Sequence, residues 1–174
     1  MRNTHKNIFL IGFMGSGKTS VSAAMGRLYG KNVIEIDDQI VAREGRSVKQ
    51  IFEESGEEYF RNCETELLCE ITFRSNAIVS CGGGIVLRPQ NVELMKENGV
   101  IVLLEAEAGT IYGRVKDENV RPILNGNMSV EYIQELKQKR AHTYQHAADL
   151  VIRTDRKTIE QVAGEVYESV YRAG

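Results

Sequence analysis

A chain of 174 residues, 42% hydrophobic and 26% charged, has the length of one domain and the composition of an ordinary globular protein. Its formal charge of −2 argues against broad attraction to nucleic acid. No apolar run approaches the ~20 residues that cross a bilayer, and Met1–Lys6 leads into a short strand rather than a secretory h-region. The expectation is a cytoplasmic protein with neither a membrane nor a nucleic-acid partner. Cys63, Cys69 and Cys81 form no C-x-x-C pair, which fits reduced thiols rather than disulfides or a zinc site.

The first predicted strand, 7–11, runs straight into Gly12-Phe13-Met14-Gly15-Ser16-Gly17-Lys18-Thr19. This is the G-x-x-x-x-G-K-[ST] pattern of a loop that cradles nucleotide phosphates. Its glycines let successive backbone N–H groups point inward, and the helix predicted over 18–29 aims its positive end at the same anion. Gly15, Ser16, Gly17, Lys18, Thr19 and Ser20 are therefore the ATP-binding candidates. Lys18 would reach the β- and γ-phosphates, and the Thr19 hydroxyl is placed to ligate Mg²⁺.

A second strand, predicted over 33–36, ends in Glu35-Ile36-Asp37-Asp38. Strand alternation would send Glu35 and Asp37 to one side and Asp38 to the other. Near the phosphates, one carboxylate can hold Mg²⁺, directly or through water, while another accepts a proton from an attacking hydroxyl. Asp37 is the candidate base, and a helix-capping role is its structural alternative.

Helix is predicted over 38–54, broken by Gly45 and Ser47, and over 57–74 after Gly56. Such a long connection before the next strand suggests a substrate-covering subdomain, at about 37–61. On the second helix Phe60, Cys63, Leu67 and Ile71 form the apolar face, with Arg61 bordering it and Glu64 near its middle. A guanidinium turned inward needs an anion, either Glu64 as a structural pair or a substrate carboxylate.

A strand at 77–80 leads into Cys81-Gly82-Gly83-Gly84, where backbone N–H groups can approach a ligand closely. After a helix at 91–98, a strand at 100–104 and a helix at 108–114, the polar stretch from Val115 to Asn127 carries Arg121 beside Pro122. It reads as a lid over about 114–127. On the helix predicted over 129–146, Ile133, Leu136, Arg140 and Tyr144 share one face, so Arg140 is a second inward arginine. His142 and His146 lack the glutamate of a zinc helix and read as an exposed pair. A strand at 149–152 and a helix at 158–171 complete an alternation that predicts an α/β fold, a five-stranded parallel sheet of buried strands flanked by helices.

In order, the Gly12–Thr19 loop, Asp37, Gly45-Arg46-Ser47, Phe60-Arg61, Gly82-Gly83-Gly84, Arg121-Pro122 and Lys139-Arg140-Ala141 resemble the shikimate kinase family over nearly the full chain. The resemblance implies a P-loop, nucleoside-monophosphate-kinase-like fold, ATP as co-substrate and Mg²⁺ as cofactor. It implies transfer of the γ-phosphate to the 3-hydroxyl of shikimate, on the route to chorismate and the aromatic amino acids. It would place the substrate carboxylate on Arg61 and Arg140, the ring hydroxyls on Asp37, Gly82, Gly83 and Gly84, and Arg121 on the transferring phosphate. Lys18, Asp37 and Arg121 would be the catalytic set, and Thr19 and Glu35 the metal set. Arg114 and the Thr154-Asp155-Arg156 segment would flank the adenine. Glu35 departs from the family's D-x-D pattern by one methylene. The residues leave open a related kinase of another small acid such as gluconate, or an ATP-binding regulator that has lost catalysis. A monomer is the default expectation.

Overall fold

In a computed structural model of the chain, residues 6–117 and 129–171 are described. Strand β1 (Asn7–Ile11) is followed by α1 (Lys18–Tyr29), β2 (Asn32–Glu35), α2 (Ile36–Glu44), α3 (Val48–Ser55) and α4 (Glu57–Ile71). Next come β3 (Ala77–Ser80), a short 3₁₀ turn (Ile85–Leu87), α5 (Pro89–Asn98) and β4 (Gly99–Glu105). The chain continues through α6 (Ala108–Val115), α7 (Val130–Ala147), β5 (Leu150–Arg153) and α8 (Ile159–Tyr171).

Among the described residues the strands form one parallel sheet of five, in the order β2-β3-β1-β4-β5. Side chains of β1 alternate across it. Ile8 and Leu10 pack with Val21, Ala24 and Met25 of α1 and Val162, Ala163 and Val166 of α8. Phe9 and Ile11 face the opposite layer, with Ile51, Phe60, Leu68, Met95, Ile111 and Ile133 of the remaining helices. The period-2 alternation of an apolar strand thus builds two cores from one segment.

The expected parallel α/β architecture is present, with two corrections. The strands are not all buried: β1 and β3 are covered throughout, whereas the edge strands β2 and β5 are partly exposed. A run of apolar residues does not reveal whether its strand ends up at an edge. The second strand also stops at Glu35, and α2 starts at Ile36 with no intervening turn. Asp37 and Asp38 therefore occupy the first turn of a helix, where their charge suits the N-terminal dipole, and strand alternation does not govern them. The predicted break after it is real: Gly45 takes a left-handed φ of 64°, and Ser47 and Gln50 form a capping box for α3.

Crossing directions reverse at β1, whose neighbours are β3 and β4, so the crevice at the strands' carboxyl ends opens there. The pairings Leu10↔Ser80 and Glu35↔Ser80 bring the ends of β1, β2 and β3 to one level. At the opposite end Asn7 is buried; its amide donates to the Arg74 carbonyl at 2.9 Å and accepts from the Ala77 N–H at 3.0 Å. This clamp registers β1 against the entry to β3. Asn7→Ala leaves a buried N–H unpaired, and urea unfolding is expected to show a loss of roughly 1–3 kcal/mol at unchanged m.

Candidate active site

The loop after β1 folds as its glycines require: Gly15 and Gly17 adopt φ of 72° and 101°, values that L side chains avoid. A Cβ on Gly15 would also stand 2.8 Å from Val115 of α6, so that helix packs directly on the loop. Lys18 folds its ammonium onto the carbonyls of Gly12 at 2.7 Å and Phe13 at 3.1 Å. The Arg114 guanidinium donates to the Gly15 carbonyl at 2.9 Å and to Thr154 Oγ1 at 3.2 Å, tying α6 and the loop to the end of β5.

Together these elements wall a cleft of about 640 Å³. One end is lined by Gly15 to Val21, Arg114, Thr154 and Lys157 to Ile159, the other by Glu35, Asp37, Asp38 and Ser80 to Gly83. All six loop candidates, Gly15 to Ser20, reach it, as do Glu35, Asp37, Gly82 and Gly83. Asp38 lines the same cleft as Asp37, whereas strand alternation had them on opposite sides. Arg156 does not line it; the residue is exposed, with a left-handed φ of 58°. Of the segment expected at the adenine, Thr154 and the neighbouring Lys157 are the lining residues. Arg121 lies outside the described residues, as does most of the expected lid.

Arg61, Arg140 and Gly84 are not among the residues that line the cleft. Arg61 is buried on α4, its guanidinium donating to Glu64 at 2.6 Å and to Glu57 at 3.1 Å. A Cβ on Gly84 would fall 2.3 Å from that guanidinium, and one on Gly82 would fall 2.5 Å from Glu64 Oε1 and 3.1 Å from Asp37 Oδ1. Glycine is thus required in this loop for close approach, not merely for turning. From the other side the Tyr144 hydroxyl donates to the Gly83 carbonyl, and Arg140 lies against that hydroxyl. Asp37, Arg61, Glu64, Tyr144 and Arg140 therefore converge on three consecutive glycines. Burial pushes the Tyr144 phenol up, with Arg140 opposing, so it stays a neutral donor.

Glu64 is fully buried, and among the described residues its Oε1 has no hydrogen-bond partner. Burial pushes its carboxyl up to about 7, more than the adjacent Arg61 guanidinium pulls it down, with Asp37 adding repulsion. The i, i+3 pairing of Arg61 with Glu64 was legible in the sequence. Two contributors were not. Tyr144 falls in the apolar phase of its helix, and nothing in the spacing along α1 singles out Ser22. Yet Ser22 is completely buried and its hydroxyl reaches Glu35 Oε1 at 2.5 Å. Neither partner lies on the same element, so no spacing rule could find them.

With its folded carboxyl raised, Glu64 favours the folded state most while protonated in both states, and that contribution is lost as pH rises from the ordinary carboxylate range through about 7. Glu64→Gln removes the term. Between pH 5 and pH 8, urea unfolding of the wild type is expected to lose roughly 2 kcal/mol relative to the variant. Parallel pH curves would show that Glu64 titrates normally.

The family profile described as shikimate kinase matches residues 14–171. A shikimate kinase of Dehalococcoides mccartyi is 39% identical over 96% of this chain and 94% of its own length. The solved shikimate kinase of Acinetobacter baumannii, in complex with shikimate, superposes with a TM-score of 0.92 at 29% identity, covering 98% of this chain and 95% of that one. The Aquifex aeolicus shikimate kinase structure gives a TM-score of 0.80 at 33% identity, over 94% and 95% of the two chains.

Proposed function

Because the chain belongs to the shikimate kinase family, we propose that the cleft is where it phosphorylates shikimate and that the residues converging on Gly82–Gly84 hold the acceptor. The chain is a phosphotransferase that moves the terminal phosphoryl group of ATP to the 3-hydroxyl of shikimate. The observation that carries the assignment of residues is the meeting of Asp37 and the Glu64-held Arg61 at the glycine loop, one strand away from the phosphate loop.

Arg61 and Arg140 would pair with the carboxylate of the acceptor, Arg61 while its ion pair with Glu64 holds the fork in place. Asp37 accepts hydrogen bonds from the ring hydroxyls and takes the proton of the attacking one. Backbone N–H groups of Gly82 to Gly84 fix the ring at close range. Lys18 leaves its loop carbonyls for the β- and γ-phosphates, and Arg121 reaches the transferring group from the lid proposed over 114–127. The substrate-binding subdomain is assigned to about 37–61, and Arg114 and Thr154 to the base end of the cleft. Little covalent work falls to the protein in such a transfer; positioning and charge stabilisation dominate.

The residues that would hold Mg²⁺ are Thr19 and, through water, Glu35. The donor set fits: Thr19 Oγ1 and Glu35 Oε2 lie 3.2 Å apart in the cleft. Among the described residues no group of three acidic, His or Cys side chains forms a cage. A sparse oxygen set suits an ion that keeps waters and binds substrate phosphates. When bound, the ion neutralises phosphate charge during transfer. On this reading the enzyme is a cytoplasmic monomer acting on shikimate and ATP, and no helix of the described residues is long and apolar enough to cross a membrane.

ADP release should be rapid with shikimate, and at background with gluconate or no acceptor; turnover of gluconate would reassign the acceptor. Asp37→Asn is expected to lower kcat by about 10²–10⁴ at unchanged thermal stability, and near-normal turnover would remove it as the base. Arg140→Ala should raise the shikimate KM roughly tenfold or more while leaving the ATP KM alone.

A further inference from the structure

Resting on the metal reading above, we propose that Ser22 is a positioning residue: it restrains the long Glu35 side chain so that a single carboxylate oxygen faces the metal shell. Glu35 closes β2, and its carboxylate spans two hydroxyls of α1. Thr19 Oγ1 donates to Oε2 at 3.2 Å in the exposed cleft, and Ser22 Oγ donates to Oε1 at 2.5 Å in the interior. Ser22 has no exposure and Thr19 is exposed, so the two bonds pull the carboxylate between core and cleft.

Ser22 has a second acceptor in reach, the Thr19 carbonyl at 2.8 Å, the ordinary back-bond of a helical serine. One hydroxyl has one proton to give. The carboxylate is nearer and charged, so it takes that proton. A buried hydroxyl on an otherwise apolar helix face, beside Val21, Ala24 and Met25, thus exists to hold a carboxylate on another element.

The consequence concerns which ion suits the site. A glutamate free to swing could offer both oxygens, or move in to ligate directly. Mg²⁺ demands near-octahedral geometry and retains its waters, whereas Ca²⁺ accepts bidentate carboxylates and irregular shells. With Oε1 committed to Ser22, only Oε2 remains to accept from Thr19 or from metal-bound water. Ser22 therefore favours the smaller ion, and its effect depends on the length of residue 35: an aspartate there could not reach it and would need no restraint.

Calorimetric titration of ADP into the full chain, metal-free and with Mg²⁺ or Ca²⁺, tests this without turnover. For the wild type, Mg²⁺ is expected to strengthen ADP binding more than Ca²⁺ does. Ser22→Ala should leave metal-free ADP affinity unchanged and shrink the Mg²⁺-over-Ca²⁺ preference by about tenfold, the lower range for loss of a ligand's outer partner. Ser22→Gly, lacking the same hydroxyl, should do likewise, and Ser22→Ala combined with Glu35→Asp should recover the preference. Equal ion preference in the wild type and both Ser22 variants would overturn the proposal, as would a double variant no better than Ser22→Ala. Loss of ADP affinity with and without metal alike would make Ser22 a packing residue and overturn it too, leaving the metal reading intact. A wild type whose ADP affinity ignores Mg²⁺ would instead remove the metal reading, and the proposal with it.

Discussion

A guanidinium and a carboxylate with almost no access to water sit against a loop that has no side chains, and the proposed acceptor half of the site depends on that contact. Arg61 and Glu64 are 6% and 0% exposed. Desolvating two ions costs several kcal/mol each, and their attraction seldom returns much more than that. The pair therefore adds little stability; what it contributes is position. Glu64 orients the Arg61 fork, the fork lies under Gly84, and Glu64 lies under Gly82 beside Asp37. Any side chain on those glycines would displace a charge. Burial, opposed by Arg61 and aided by Asp37, keeps Glu64 unusually easy to protonate.

The sheet supplies the rest. Strand order places β3 between β2 and β1, so the carboxylate-bearing end of β2, the glycine end of β3 and the phosphate loop after β1 are consecutive neighbours. The proposed proton acceptor, acceptor platform and phosphate cradle therefore lie at three adjacent strand ends. The Arg114 bridge from the phosphate loop to Thr154 extends the line to the far edge of the sheet. Phosphoryl transfer needs reactants held in line more than it needs reactive side chains, and a row of rigid strand ends is suited to that.

What could be read in the sequence was what is local. The Gly12–Thr19 loop announces itself because tight turning, anion binding and helix initiation all fall within eight residues. The Arg61–Glu64 pair follows from helical phase. The start of α2 is masked in the sequence because Ile36 continues the apolar run of β2, while the i, i+4 burial of Ile36 and Ile40 that marks the helix overlaps it by a single residue. Ser22 and Tyr144 were hidden for a different reason. Each sits in apolar helical phase but spends its hydroxyl on a distant segment, 13 residues away for Glu35 and 61 for Gly83. The approach of Arg61 to Gly84 likewise depends on how α4 packs and not on spacing.

Whether the buried pair acts as one unit in holding the acceptor is best measured by a double-mutant cycle. Shikimate dissociation constants would be determined calorimetrically for the wild type, Arg61→Lys, Glu64→Gln and the double variant. Lysine keeps the charge but not the fork, and glutamine keeps the shape but not the charge. A coupling energy of about 1 kcal/mol or more is expected if Glu64 works through Arg61. Additive losses would mean that the two residues serve the acceptor separately, or not at all, and would contradict the arrangement described.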